Sequence, residues 1–362
     1  MESTQQHKSI EERVDQFKFF YSKENERPLL GFFHGSEYPV HRYRAAQAIP
    51  EKVWLTPEHF NIGSYLDDFD YLFNKHEECG GDFIWSSSIF WGIPWVEAAL
   101  GCPITLSSHS SGSIHAEALP GFKGAVDIPE FTMDNPWVKK AIDFLEQTAE
   151  RSKGRYPIAT TRMRGISDLL SLLYGGENLI YAMMEKPEEV AATAAKLTDF
   201  WIKFGKMQIE RIPEFHGGIG SFYYNAWVPK GTIWHQEDAA ALLSPDLYDL
   251  FIREWDEMIV NSFDGCIMHQ HSNGYFPYDF YLKMNFTALE LHIDSGGPSA
   301  ESLHPVYKEI LGQKPLIIWG EISECDMDWI FNNLPSRGLA IITVVKNPEE
   351  AAKIWNKYVI NK

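Results

Sequence analysis

The chain has 362 residues and carries 50 acidic against 32 basic side chains, a formal net charge of −18, with 44% hydrophobic and 23% charged residues. That balance repels phosphate backbones and anionic membrane surfaces, so nucleic acid is not an expected partner, while the apolar share is ample for a core. The length suits one large domain of the α/β-barrel kind.

The opening stretch MESTQQHKSIEERVDQFKFF is polar and charged, unlike a signal or transit peptide. It reads as a helical extension over residues 1–25, ahead of a single domain over 26–362. No apolar run approaches the roughly 18 residues that suggest a membrane span. The cysteines Cys79, Cys102, Cys266 and Cys325 lack CxxC spacing, so neither a disulfide framework nor a thiolate zinc cluster is indicated, and a cytoplasmic location is expected.

Eight short β-rich apolar runs then recur in order: PLLGFF (28–33), GDFIWSS (81–87), RYPIATTRM (155–163), GGIGSFYYNAW (217–227), DGCIMHQHS (264–272), ALELHID (288–294), KPLIIWGEI (314–322) and GLAIITVV (338–345). Helical segments separate most of them. KPEEVAATAAKLTDFWIKFGKMQIERI (186–212) has Pro187 and two glutamates in its first turn, SPDLYDLFIREWDEMIVNSF (244–263) starts with Ser244 as cap and Pro245 behind it, and NPEEAAKIWNKYVI (347–360) repeats the pattern. Eight buried strands alternating with helices predict a parallel sheet closed into a (β/α)8 TIM barrel. Residues 101–135, rich in Gly, Ser, Pro and His, break the alternation and read as a long excursion over one rim.

In such a barrel the ligand site lies at the carboxyl ends of the strands, which makes polar residues there the candidates. Strand one ends with His34 and Ser36, strand two with Trp85 and Ser86, and strand three with Arg162 and Arg164. Two guanidiniums there either fork a carboxylate or phosphate, or pair with acids such as Asp168 or Glu177 to pin the loop. After the fourth run comes SFYYNAWVPKGTIWHQED, an aromatic-rich loop with Tyr224 and His235 as candidate catalytic residues; its rings either wall a ligand or simply pack the loop.

The fifth run places His269 and His271 two apart, so both imidazoles share a strand face. Imidazole is a common zinc ligand, a catalytic zinc needs about three protein ligands, and this pair supplies only two. HxH on a strand also occurs without metal. Third-ligand candidates are Glu290, His292 and Asp294, which alternate along the sixth run, and Glu321 at the end of the seventh, with Glu321 or Asp294 preferred.

PIATTRMRGISDLLSLLYGGENLIYAMMEKPEEV (157–190) resembles the uroporphyrinogen decarboxylase superfamily, as do the Leu-Ser-Pro step in DAAALLSPDLYDLFI (238–252) and KPLIIWGEI. The similarity is collinear from about residue 26 to the C-terminus. It implies a TIM-type barrel and one of two chemistries, cofactor-free decarboxylation of a carboxylated substrate or zinc-dependent methyl transfer between a small methylated substrate and a corrinoid protein. GFFHGSEYPVHRYRAAQ (31–47) lacks the decarboxylase's Met-Arg-Gln-Ala-Gly-Arg signature, TTRMRG replaces its Gly-Phe-x-Gly-x-Pro motif, and GLAIITVVKNP lacks its late histidine. The methyltransferase branch carries His-x-Cys-Gly-Asn on strand five and a later Cys. Here His269 is followed by His271, Ser272 and Asn273, and the late Cys is absent.

The resemblance therefore implies a methyltransferase with His269, His271 and either Glu321 or Asp294 on zinc, and Arg162 and Arg164 orienting an anionic part of the substrate. A metal-free decarboxylase using Arg42, Arg162, Arg164 and the histidines is the rival, and a non-catalytic binding barrel is a third reading.

Overall fold

Runs of Leu, Ile, Val and Phe bounded by Gly and polar residues form strands that can be buried on both faces only if helices cover the sheet. In the computed structural model, which describes residues 8–360, this is the arrangement. The strands are β1 (Leu29–His34), β2 (Ile104–Thr105), β3 (His115–Ala116), β4 (Gly218–Ser221), β5 (Ala226–Pro229), β6 (Thr232–Gln236), β7 (Gly265–His271), β8 (Ala288–Ile293), β9 (Leu316–Gly320) and β10 (Leu339–Val345). Six of them form one parallel sheet in the order β1-β10-β9-β8-β7-β6.

The second and third expected strands are less regular. Residues 82–87 and 157–164 run beside the sheet through single contacts: Asp82 N donates to Leu30 O at 2.9 Å, and parallel bridges join Ser87 to Ile158 and Arg164 to Gln236. The fourth expected strand is met in part. Gly220 bridges Ala159 in parallel and donates to Ile158 O at 2.9 Å, but GGIGSFYYNAW turns back as an antiparallel hairpin, β4 with β5, and the strand that joins the six-stranded sheet is β6, which the sequence assigns to a loop. The hairpin turn puts Tyr223 at φ 73° and Asn225 at φ 55°, left-handed conformations that are unusual for side-chain-bearing residues.

The helices cover the sheet much as their caps predict. Pro187–Ile209 buries Val190, Leu197, Trp201 and Phe204. Ser244 caps Pro245–Phe251 through Leu247 N at 3.3 Å, but the expected long helix breaks at Ile252 and resumes as Arg253–Val260. Of the N-terminal extension, Ile10–Tyr21 is helical with a Ser9/Glu12 capping box, while residues 1–7 lie outside the described residues. The rim excursion contains the small β2–β3 hairpin. Among the described residues no helix is long and apolar enough to cross a membrane.

Candidate metal centre at the carboxyl end of the sheet

Strand register builds the site. His271 is aligned with His292 on the neighbouring strand, and His269 with Glu290, so alternation sends all four side chains to the same face at the carboxyl ends of β7 and β8. His269 Nε2 lies 3.2 Å from His271 Nε2, and one ring nitrogen from each of His269, His271 and His292 falls within 4.8 Å of the others. Zinc–nitrogen bonds of about 2.0–2.1 Å in a tetrahedral arrangement set neighbouring ligand nitrogens roughly 3.3 Å apart, so the His269–His271 pair already has a ligand-like spacing.

The outward nitrogens are held by carboxylates. His269 Nδ1 contacts Glu290 Oε2, which also accepts from Tyr224 OH at 2.9 Å; Tyr224 oxygen in turn accepts from Trp234 Nε1 at 2.7 Å. His271 Nδ1 meets Asp294 Oδ1 at 2.6 Å, while Asp294 Oδ2 accepts from Ser272 N at 2.9 Å and Asn273 N at 3.2 Å. Such carboxylate–imidazole pairs fix ring orientation and leave the opposite nitrogen for a cation.

The electrostatics have the same sense. Burial pulls the His271 pKa down, but the bond to Asp294 and the charges of Asp238, Asp294 and Glu290 outweigh it and raise it to about 9. Burial, reinforced by His269 and His271, lowers His292 to about 3, leaving a neutral imidazole. Asp294 stays well below the usual carboxylate range; burial opposes this and the bond to His271 overcomes it. The cluster attracts positive charge and offers nitrogen donors to receive it.

The imidazoles floor a cavity of about 440 Å³ whose aromatic wall is Trp91, Phe222, Tyr223 and Trp234. Phe222 packs on Trp234 at 4.8 Å between ring centroids and on Tyr223 at 5.3 Å. The lining also includes Arg162 and the carboxylates of Glu37, Asp238 and Asp294.

The expected site residues are distributed unequally. His269 and His271 sit together as read, and His292, one of three candidates on its strand, completes the trio. Asp294 lies behind His271, while Glu321 is exposed and lines a separate groove of about 810 Å³. Tyr224 is fully buried beneath the imidazoles, touching Glu290 and lying 3.3 Å from His269 Nδ1. It is a support for the ring and not part of the cavity lining.

His34 and His235 face away from the site. Phe33 and Gln236 mark the interior parity of their strands, so the neighbouring residues point toward the helices. His34 is set among Arg42, Lys75 and Glu78, and burial with the Arg42 charge lowers its pKa. His235 donates to or accepts from Asp256 at 2.7 Å and packs edge-on against Trp201 at 5.1 Å.

His235, Glu237 and Asp256 form a second cluster with metal-like spacing, but His235 Nε2 and both carboxylates are already engaged. Glu237 accepts from Ile166 N at 2.7 Å and Ser167 N at 2.8 Å, and Asp256 accepts from Tyr248 OH at 2.6 Å. It fastens the loop after residue 164 to β6.

The two arginines separate. Arg164 pairs with Glu97 at 3.5 Å and Asp168 at 3.9 Å, the pinning role. Arg162 forms no hydrogen bond or ion pair among the described residues, and its guanidinium carbon lies 5.9 Å from the Trp91 ring centre. Trp91, Asp238 and Gln236 were not anticipated as lining residues; only the strand assignment of TIWHQ, missed in the sequence, could have placed Gln236.

Neither a family model nor a curated protein sequence matches the chain. Solved structures do. A methyltransferase from Methanosarcina mazei superposes with a TM-score of 0.64 over 96% of this chain and 96% of that one, at 13% identity. This is a likeness of fold. KGPDC from Streptococcus mutans (TM-score 0.27, 14% identity, 61% of this chain and 92% of that) and mannanase man26 from Bacillus subtilis (0.40, 10%, 97% and 92%) are too distant in shape to carry an argument.

Proposed function

We propose that the chain is an enzyme of the uroporphyrinogen decarboxylase superfamily, on its methyltransferase side. Its single barrel domain over 26–362, preceded by the N-terminal extension, would close through the bridges at Ser87–Ile158 and Arg164–Gln236. The reaction moves a methyl group from a small methylated substrate to a corrinoid carried by a partner protein. The observation that carries this reading is the trio His269, His271 and His292, spaced for one cation and backed by Glu290 and Asp294 at the carboxyl ends of parallel strands. The fold shared with the Methanosarcina mazei methyltransferase supports it.

These residues fit zinc. Three nitrogen donors with an open cavity beside them match a catalytic rather than a structural site, and the absence of thiolate favours activation of an oxygen or nitrogen substituent over a thiol. Bound there, zinc supplies a Lewis acid that withdraws electron density from the heteroatom carrying the methyl group. Glu290 and Asp294 hold the imidazoles in orientation, and the aromatic wall gives the substrate an apolar surface beside them. A corrinoid on a partner protein would supply the nucleophile that accepts the methyl group, and the electron pair of the carbon–heteroatom bond would stay with the heteroatom held beside His269, His271 and His292.

Elemental analysis of protein purified without a histidine tag tests this. About one zinc per chain is expected, lost in His269→Ala and His271→Ala variants that keep their circular dichroism. Metal-free protein whose stability is unchanged in both variants would refute it, and release of carbon dioxide from carboxylated substrates by that metal-free protein would establish the decarboxylase alternative.

A further inference from the structure

The cavity wall and the unpaired arginine say more about what the site receives. Beside the main cavity lies a side chamber of about 260 Å³, lined by Ser113, His115, Arg162, Arg164, Gln236 and Asp238. Arg162 borders both spaces. Arg164 is neutralised by Glu97 and Asp168. Asp238 borders both spaces as well and accepts from Gln236 Nε2 at 2.7 Å, so Arg162 has acidic neighbours but no carboxylate at ion-pair distance among the described residues. A half-buried guanidinium in that state gains from a ligand that provides a carboxylate at contact.

Opposite, Trp91, Phe222, Tyr223 and Trp234 form a continuous aromatic surface above the imidazole floor. Such a wall accepts either a flat ring or a methylated cation. The choice is decided at the imidazole floor and at Arg162. Glu37, Asp238 and Asp294 also line the cavity, but a fixed quaternary ammonium has no lone pair to turn toward the imidazoles and no group to offer Arg162. An aryl ether has a lone pair on oxygen, a flat body for the wall, and can carry an acid group toward Arg162.

We infer that the substrate is a small aromatic acid bearing a methyl ether, its carboxylate seated on Arg162 at the mouth of the side chamber, its ring against Trp91 and Phe222, and its ether oxygen toward His269, His271 and His292. This rests on the proposed function for the role of the imidazoles, whereas the carboxylate seat stands on Arg162 and the side chamber alone.

Trp91 and Trp234 line the cavity, so quenching of tryptophan fluorescence in the full-length protein reads occupancy directly. The probes are 3,4-dimethoxybenzoate, its neutral counterpart 1,2-dimethoxybenzene, and benzyltrimethylammonium. The acid is expected to bind about ten- to a hundred-fold more tightly than the neutral ether, the range of a charge-assisted pair. Arg162→Gln should remove that difference while leaving the neutral ether's affinity within about threefold of its original value, and Arg162→Lys should keep part of it. Equal binding of acid and neutral ether in the unaltered protein, preference for the ammonium, or no binding of any probe overturns the inference without recourse to a variant; so does a preference that survives in Arg162→Gln. Zinc content measured on the same samples separates the two readings. Metal without acid preference sinks the substrate class alone, and acid preference without metal sinks the zinc reading alone.

Discussion

Replacing His292 and, separately, Glu321 by alanine distinguishes a three-imidazole centre from one completed by a carboxylate. His292 belongs to the trio whose nitrogens lie within 4.8 Å of one another, whereas Glu321 is exposed in the neighbouring groove. Four-ligand zinc peptides bind with apparent free energies of about 10–16 kcal/mol, or roughly 3–4 kcal/mol per ligand, so loss of one imidazole should weaken zinc by about 100- to 1000-fold. Glu290→Gln, which loosens His269 without removing a ligand, should cost about 10- to 100-fold. Glu321→Ala should leave affinity within about twofold, because a side chain outside the ligand set has no coupling to it. Competition against a chromogenic chelator measures all three, with circular dichroism confirming that each variant is folded. If Glu321→Ala loses zinc as severely as His292→Ala, or His292→Ala binds like the unaltered protein, the assignment from strand register is wrong.

The same titration has a pH signature. His271 in the metal-free protein keeps its proton up to about 9, so zinc must displace it, and affinity should rise by about tenfold per pH unit toward pH 9 and then level off; a flat profile between pH 7 and 9 refutes this. For the metal-free fold the sign is opposite. The raised His271 pKa stabilises below its unfolded value of about 6.5, and that contribution is lost as pH rises through about 9. Burial raises Asp256 to about 7, so its folded state holds a proton that the unfolded chain releases near 3.9; stability from this group is present at low pH and lost as pH rises through about 7, and Asp256→Asn should flatten that slope in urea unfolding. Gly165→Ala should lower stability by about 1–3 kcal/mol in the same assay, since a Cβ there meets the Gln236 carbonyl oxygen at 2.0 Å and Glu237 Oε1 at 2.3 Å; an unchanged midpoint would show that the loop moves aside freely.

The parts of the fold legible in the sequence are those governed by local chemistry. Two-sided burial forces continuous apolar runs, which is why GLAIITVV and DGCIMHQHS stand out, and Ser244, Pro245 and Asn347 announce helix starts by capping. TIWHQ did not stand out because its outward His235 looks polar until Asp256, 21 residues later, arrives to satisfy it. The break at Ile252 has neither glycine nor proline to signal it. Within the site, period-two alternation exposes HQH and ELHID as candidate faces. The choice of His292 over Glu321 depends on the alignment of His271 with His292 between strands, which no single run contains. The division of labour between Arg162 and Arg164 likewise depends on Glu97, far away in sequence.

The turn of the hairpin β4–β5, the stretch that follows residues 82–87 and the irregular segment 157–164 supply much of the cavity wall, through Phe222, Tyr223, Trp91 and Arg162, while the imidazoles stand on the unbroken ladder of β7 and β8. One side of the cavity thus behaves as an anvil and the other as an interchangeable die. Wall residues attached through single bridges can be exchanged, and the shape of the chamber recut, with little strain reaching the strands that space the nitrogens. A chain built this way can acquire a new ligand by altering a few side chains on the looser side, keeping its imidazole trio unchanged throughout.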